Sequence, residues 1–135
     1  MKFRKVKQNI HVGYSPGEKY LAKVVKGETV GFDALAEIVE KSTNVTKGDI
    51  LNVLDAVSAA TTSLIKLGHN VRFDRFGIFD LRVKVKAMNT PEEVTADTIE
   101  RITIGFTPDV DLKNNVKSVS ISIEPYETEP TPPTP

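Results

Sequence analysis

Phe76-Gly77-Ile78-Phe79-Asp80-Leu81-Arg82-Val83-Lys84-Val85-Lys86 is the stretch on which the reading of this chain turns. Side chains of an extended strand alternate between two faces. From Asp80 onward the alternation is strict: Leu81, Val83 and Val85 face one way, and Arg82, Lys84 and Lys86 the other. Three like charges at alternate positions repel one another and call for solvent or an anion. Asn70–Asp74 reads as a strand running into the Arg75-Phe76-Gly77 corner, so the stretch opens a sheet with one apolar and one basic face.

Working toward the N-terminus, two helices precede the sheet. Phe32, Leu35, Ala36, Ile38 and Val39 recur at helical spacing, predicting a helix over 32–42. Thr46-Lys47-Gly48-Asp49 resembles a capping box, and Ile50, Leu54, Val57, Thr61 and Leu64 then mark a long helix over 47–67. Gly68 suits a left-handed C-terminal cap. Further out, 2–9 and 19–26 read as strands around a Tyr14-Ser15-Pro16-Gly17 turn.

Working toward the C-terminus, Ala87–Asp97 is a polar connection, and Ile102, Ile104 and Phe106 line one face of a return strand. A short helix is predicted over 109–115. Val119, Ile121 and Ile123 alternate with serines in a last strand, and five of the eight prolines crowd into the final eleven residues as an extended tail. The strands at 2–9 and 118–124 are expected to pair with one another. The resulting division is 1–31 as a strand extension, 32–124 as the main domain and 125–135 as the tail.

Composition narrows the classes. Within 135 residues there is no cysteine, which removes disulfides and thiolate metal sites. No apolar run approaches the ~20 residues of a membrane span, and no signal peptide follows the basic N-terminus, so a cytoplasmic location is expected. Net charge is zero, from 18 basic and 18 acidic side chains, but the charges are segregated. Residues 1–31 carry seven Lys/Arg against two Glu, 71–86 five against two, and 87–112 one against six.

Two motifs give this element order a relative. Phe76-Gly77-Ile78-Phe79 resembles the Phe-Gly-x-Phe corner of the bacterial histone-like HU/integration-host-factor family. Phe106-Thr107-Pro108-Asp109-Val110-Asp111-Leu112-Lys113 resembles that family's Phe-x-Pro-x-x-x-Leu-Lys lead-in to its last helix. The resemblance covers about 32–116. The flanks are similar to Bacteroides-type HU-related variants with extra terminal strands. It implies an α+β fold: a two-helix hairpin, an antiparallel sheet with an arm, and a short C-terminal helix. It also implies an obligate homodimer whose core includes Leu54, Val57, Phe76, Phe79 and Phe106. The function it implies is architectural, nucleoid-associated DNA binding.

The candidate DNA-binding residues are then Arg72, Arg75, Arg82, Lys84 and Lys86 on the sheet, with Lys2, Arg4, Lys5 and Lys7 at the N-terminus. Lys19, Lys23 and Lys26 extend the terminal set. The family's arm carries an Asn-Pro whose proline wedges between base steps; Asn89-Thr90-Pro91 is the nearest element here, making Pro91 a candidate. The arm is shorter, however, and Glu92 and Glu93 follow at once. Thr107, Asp109 and Val110 stand where the family often has lysines. Binding without sequence preference, modest and salt-sensitive, is expected. The alternative is a protein–protein or scaffold module working through the acidic connection or the Pro-rich tail. No catalytic motif appears, His11 and His69 have no metal-like partner, and no cofactor is expected.

Overall fold

The amphipathic runs fold into α1 (Phe32–Ser42) and α2 (Lys47–Lys66), laid against one another as a hairpin. Thr46 caps α2 reciprocally: its Oγ1 accepts from the Asp49 N–H at 3.3 Å and donates to Asp49 Oδ2 at 2.8 Å. Lys47 ties the hairpin, reaching Glu37 at 2.8 Å and Asp33 at 3.1 Å on α1. Gly68 ends α2 at φ 88°, its N–H donating to the Ile65 carbonyl while that of His69 donates to Leu64. This left-handed cap satisfies carbonyls that the helix end would leave open.

The computed structural model describes residues 1–13 and 15–127. They form two compact units: Val30–Lys117, and Met1–Thr29 together with the chain from Ser118. The Tyr14 of the first turn and the tail beyond residue 127 lie outside the described residues.

In the central unit the strands are β3 (Val71–Phe73), β4 (Gly77–Val85) and β5 (Ile99–Pro108), in antiparallel order β3-β4-β5. Arg75 turns the chain between β3 and β4 at φ 73°, a conformation uncommon for a side-chain-bearing residue. The β4–β5 connection contains two short 3-10 turns, Pro91–Glu93 and Ala96–Thr98. Past β5, α3 (Val110–Lys117) starts where Asp109 donates its N–H to Phe76 O and accepts from Lys113.

The terminal unit is a sheet of β1 (Lys2–Ile10), β2 (Gly17–Val24) and β6 (Ser122–Ile123), ordered β2-β1-β6. β1 and β2 are antiparallel; β6 runs parallel to β1, with Lys2 opposite Ser122 and Phe3 opposite Ile123. The sequence reading puts 118–124 in the main domain; the structure groups it with the N-terminal strands instead. The reason is backbone bonding: Ser122 and Glu124 donate to the carbonyls of Met1 and Phe3. Only two residues of β6 pair because in this register residues 118–121 extend beyond the start of β1.

In a single chain the core is thin. The buried hydrophobic residues among those described are Ala36, Ile50 and Ile65. Phe79 is half-buried between Phe73 (ring centroids 5.2 Å apart) and Phe106 (4.9 Å). Leu54 is half-buried, whereas Val57, Phe76 and Phe106 are exposed, Phe76 by 58%.

Candidate nucleic-acid interface

The register of β4 against β5 settles which side chains share a face, since residues directly opposite in an antiparallel pair point the same way. Phe79, Leu81 and Val83 lie opposite Phe106, Ile104 and Ile102 on the apolar face. On the other face Arg82 lies opposite Thr103 and Lys84 opposite Arg101. Arg101 therefore joins the basic stripe. The sequence reading missed it, although the alternation of Ile102, Ile104 and Phe106 already assigns Arg101 to the opposite face.

Carboxylates answer part of this stripe. Arg82 Nε sits 3.4 Å from Asp80 Oδ2, and Lys84 Nζ sits 3.2 Å from Glu100 Oε2. The stripe, expected to face solvent or an anion, meets two of the chain's own carboxylates. Arg101 and Lys86 have no ion pair among the described residues. The register steps from Lys84 opposite Arg101 to Val85 opposite Ile99, leaving Glu100 as the extra residue on β5, and Lys86 donates its N–H to Thr98 O at 2.8 Å. Lys86 lies past this bulge, just beyond the end of β4 at Val85. Gly105 makes room for Arg82, whose guanidinium occupies the space that a Cβ at Gly105 would take.

At the corner, Arg72 Nη2 donates to Asp109 Oδ2 at 3.0 Å, and Arg72 Nε lies 3.7 Å from Asp74. The hydrogen bond to Asp109 raises the Arg72 pKa above its ordinary value. Arg72 thereby ties β3 to the start of α3. Arg75 is exposed and without an ion pair among the described residues. Pro91 is exposed and opens the first 3-10 turn, where Thr90 Oγ1 donates to Glu93 Oε1 at 3.1 Å. Its fixed φ suits the first position of such a turn, and Glu92 and Glu93 flank it.

The terminal sheet divides the N-terminal basic set by pleat. Lys5 lies opposite Ala22 and Lys7 opposite Tyr20 on one face; Arg4 lies opposite Lys23 and Gln8 opposite Lys19 on the other. Lys7 Nζ reaches Glu18 at 2.9 Å, and that hydrogen bond raises the Lys7 pKa. Tyr126 stacks edge-on against Tyr20 beside them, centroids 5.3 Å apart.

Among the described residues no three His, Asp or Glu side chains are grouped to hold a metal ion. Among the described residues no helix is long and apolar enough to cross a membrane.

The order of elements, a two-helix hairpin, a β-arm and a short closing helix flanked by a terminal sheet, has counterparts. Residues 2–123 match the family model HU-HIG, described as an HU domain fused to a wHTH, Ig, or glycine-rich motif. The chain belongs to this HU-HIG family. Two solved structures share its fold. One, a Bacteroides vulgatus ATCC 8482 protein assigned by name as a bacterial DNA binding protein, aligns at TM-score 0.63 and 10% identity, covering 95% of this chain. This chain spans 50% of the length of that protein. The other, HU of Anabaena in a cocrystal with DNA, aligns at TM-score 0.52 and 18% identity, covering 67% of this chain and 100% of that one. No curated protein sequence matches. The α+β, HU-like architecture read from the sequence is therefore the observed one.

Proposed function

We propose that this HU-HIG protein is a non-enzymatic, homodimeric DNA-binding architectural protein that holds the phosphate backbone without reading sequence. The observation that carries the reading is the two-faced β4–β5 arm. One face is apolar; on the other Arg82 lies opposite Thr103 and Lys84 opposite Arg101, with the Arg82 guanidinium over Gly105. The ion pairs with Asp80 and Glu100 lie at the surface, where such pairs are weak and screened by salt. A phosphate can replace either carboxylate. Arg75 and Lys86 extend the contact; Arg72 is held by Asp109 and contributes field rather than a free guanidinium. Pro91 serves the turn.

The homodimer is supported by what one chain leaves uncovered. Ile102, Ile104 and Phe106 are 60%, 56% and 42% exposed on the arm's apolar face, and Val57 and Leu64 are exposed on α2. A contiguous apolar surface of this kind marks an association site, and a second copy supplies a matching one. A location in the cytoplasm, on the nucleoid, follows from the proposed partner.

Fluorescence anisotropy with duplex DNA across a salt series tests the reading. Binding is expected with a slope that falls by about 0.9 in log–log units for each phosphate contact removed. The triple variant R82Q/K84Q/R101Q flattens it most. No binding at low salt and micromolar protein overturns the proposal. One observation favours a second reading: residues 30–117 hold 11 basic and 13 acidic side chains, an unusual balance for a phosphate binder. In that case the arm, with Glu92 and Glu93 near its tip, docks on a protein.

A further inference from the structure

We infer that the terminal sheet carries a second docking face for duplex DNA, built from Arg4, Lys19 and Lys23 and separate from the arm. The inference rests on the reading that DNA is the partner, and it places part of the contact outside the HU-like unit.

The argument begins with charge. Residues 30–117 are net negative, whereas 1–29 hold seven basic side chains against two acidic ones, and 118–127 add two glutamates. The terminal unit, 1–29 with 118–135, is net positive at seven basic against five acidic side chains, all seven basic ones in 1–29. Register then sorts these charges. On one face Lys7 is paired with Glu18, Asn9 lies opposite Glu18, and Tyr126 packs on Tyr20. On the other face Arg4 stands directly opposite Lys23, and Lys19 stands opposite Gln8. None of these three cations has an ion pair among the described residues. By strand alternation Lys2 flanks Arg4 on the same face.

Like charges directly opposite on a sheet destabilise it. A strand pair built for stability alone would place a glutamate across from Arg4, as it places Glu18 diagonally from Lys7. The cross-strand Arg4–Lys23 pair is relieved when an anion lies over it. Lys19 and Lys23 are four residues apart, about 13 Å along an extended strand. Phosphates of one DNA strand advance about 3.4 Å of helix axis each. The three cations therefore reach a row of phosphates, not a single isolated anion. Only Val6 and Leu21 interrupt the polar side chains at the centre of this face, and no aromatic side chain projects from it, which disfavours a lipid surface.

The shape agrees. β6 covers β1 only at Lys2 and Phe3. From Lys5 to Ile10 the sheet is a two-stranded ribbon with β2, an element that the DNA major groove admits. Glu124 and Glu127 line an open cleft with Arg4, Lys5 and Lys7 along β1, without an ion pair to Arg4. It marks the boundary of the cationic face.

Full-chain variants test the inference by anisotropy on the same duplex across salt. R4Q/K23Q is expected to lower the log–log salt slope by about 1.8, with an unfolding midpoint unchanged or raised, because a repulsion is removed. K5Q/K7Q removes the same charge from the other face and is expected to lower the slope less. Equal losses from the two pairs, or none from R4Q/K23Q, overturn the face assignment. If R82Q/K84Q/R101Q flattens the slope and R4Q/K23Q does not, the second face falls and the arm reading stands. If only R4Q/K23Q flattens it, the second face stands and the arm reading falls. Loss of binding to phosphatidylserine vesicles by R4Q/K23Q, with duplex binding unchanged, overturns the choice of DNA.

Discussion

The guanidinium of Arg82 lies over Gly105 on the neighbouring strand, in the space that any Cβ at that position would fill. The glycine lets a long cation lie flat across the arm, within 3.4 Å of Asp80 and 3.5 Å of Thr107. Gly105 is thus part of how the basic face is arranged.

Gly105→Ala is expected to displace Arg82 with little loss of stability, because the obstructing group is the far end of a flexible side chain. Gly77→Ala makes the contrast. There the added Cβ meets the Thr107 backbone carbonyl and the Phe106 ring, at φ 157°. Overpacking of that kind costs about 1–3 kcal/mol. Chemical denaturation of the two variants should separate them, and only Gly105→Ala should change DNA binding at unchanged stability.

Arg101 and Lys84 face one another, yet only Lys84 has a carboxylate, Glu100, at 3.2 Å. Glu100→Gln should therefore strengthen DNA binding at low salt by freeing Lys84. Arg101→Gln should weaken it at least as much as Lys84→Gln. Binding isotherms at one fixed salt concentration decide this; a weaker effect of Arg101→Gln would remove Arg101 from the interface.

The exposed apolar faces of α2 and the arm lead to a mass expectation. Light scattering after size exclusion should report twice the 14.9 kDa chain mass. Val57→Glu, which sets a charge on an exposed apolar position of α2, should yield monomer or loss of fold. A wild-type monomer at micromolar concentration would contradict the dimer.

Lys47 supplies the pH dependence. Its hydrogen bonds to Glu37 and then Asp33 raise its pKa above 10.5. A group whose folded pKa is raised stabilises fully below its unfolded value and loses that contribution as pH rises through the folded one. The difference in unfolding midpoint between wild type and Lys47→Gln should therefore be constant from neutral pH to about 10 and shrink above 10.5. A difference that vanishes near neutrality would show that the hairpin does not depend on this charge.

Much of the fold was legible because its signals are local. Helical spacing in Phe32–Val39 and Ile50–Leu64, the Thr46 cap and the Gly68 stop need only neighbours within a turn or two. The alternation of Leu81–Lys86 likewise assigns faces before any partner is known. The second basic group on the arm, Arg101, was equally available and was overlooked because it stands alone among acidic neighbours. The bulge at Lys84/Val85 was not available, since it arises from how two strands of different local geometry meet.

By itself, the sequence determined the element order, the two-faced arm and the segregation of charge, all consequences of period and composition. Tertiary structure decided which charges are answered and which are not. Lys84 and Lys7 find carboxylates because register brings Glu100 and Glu18 within reach, and Arg72 finds Asp109 where β5 gives way to α3, whereas Arg82 meets Asp80 two residues away on its own strand. Arg4 meets Lys23 instead, across nineteen residues of chain. The physical reason is that a side chain's electrostatic environment depends on distance in space, and strand pairing sets that distance between residues remote in sequence.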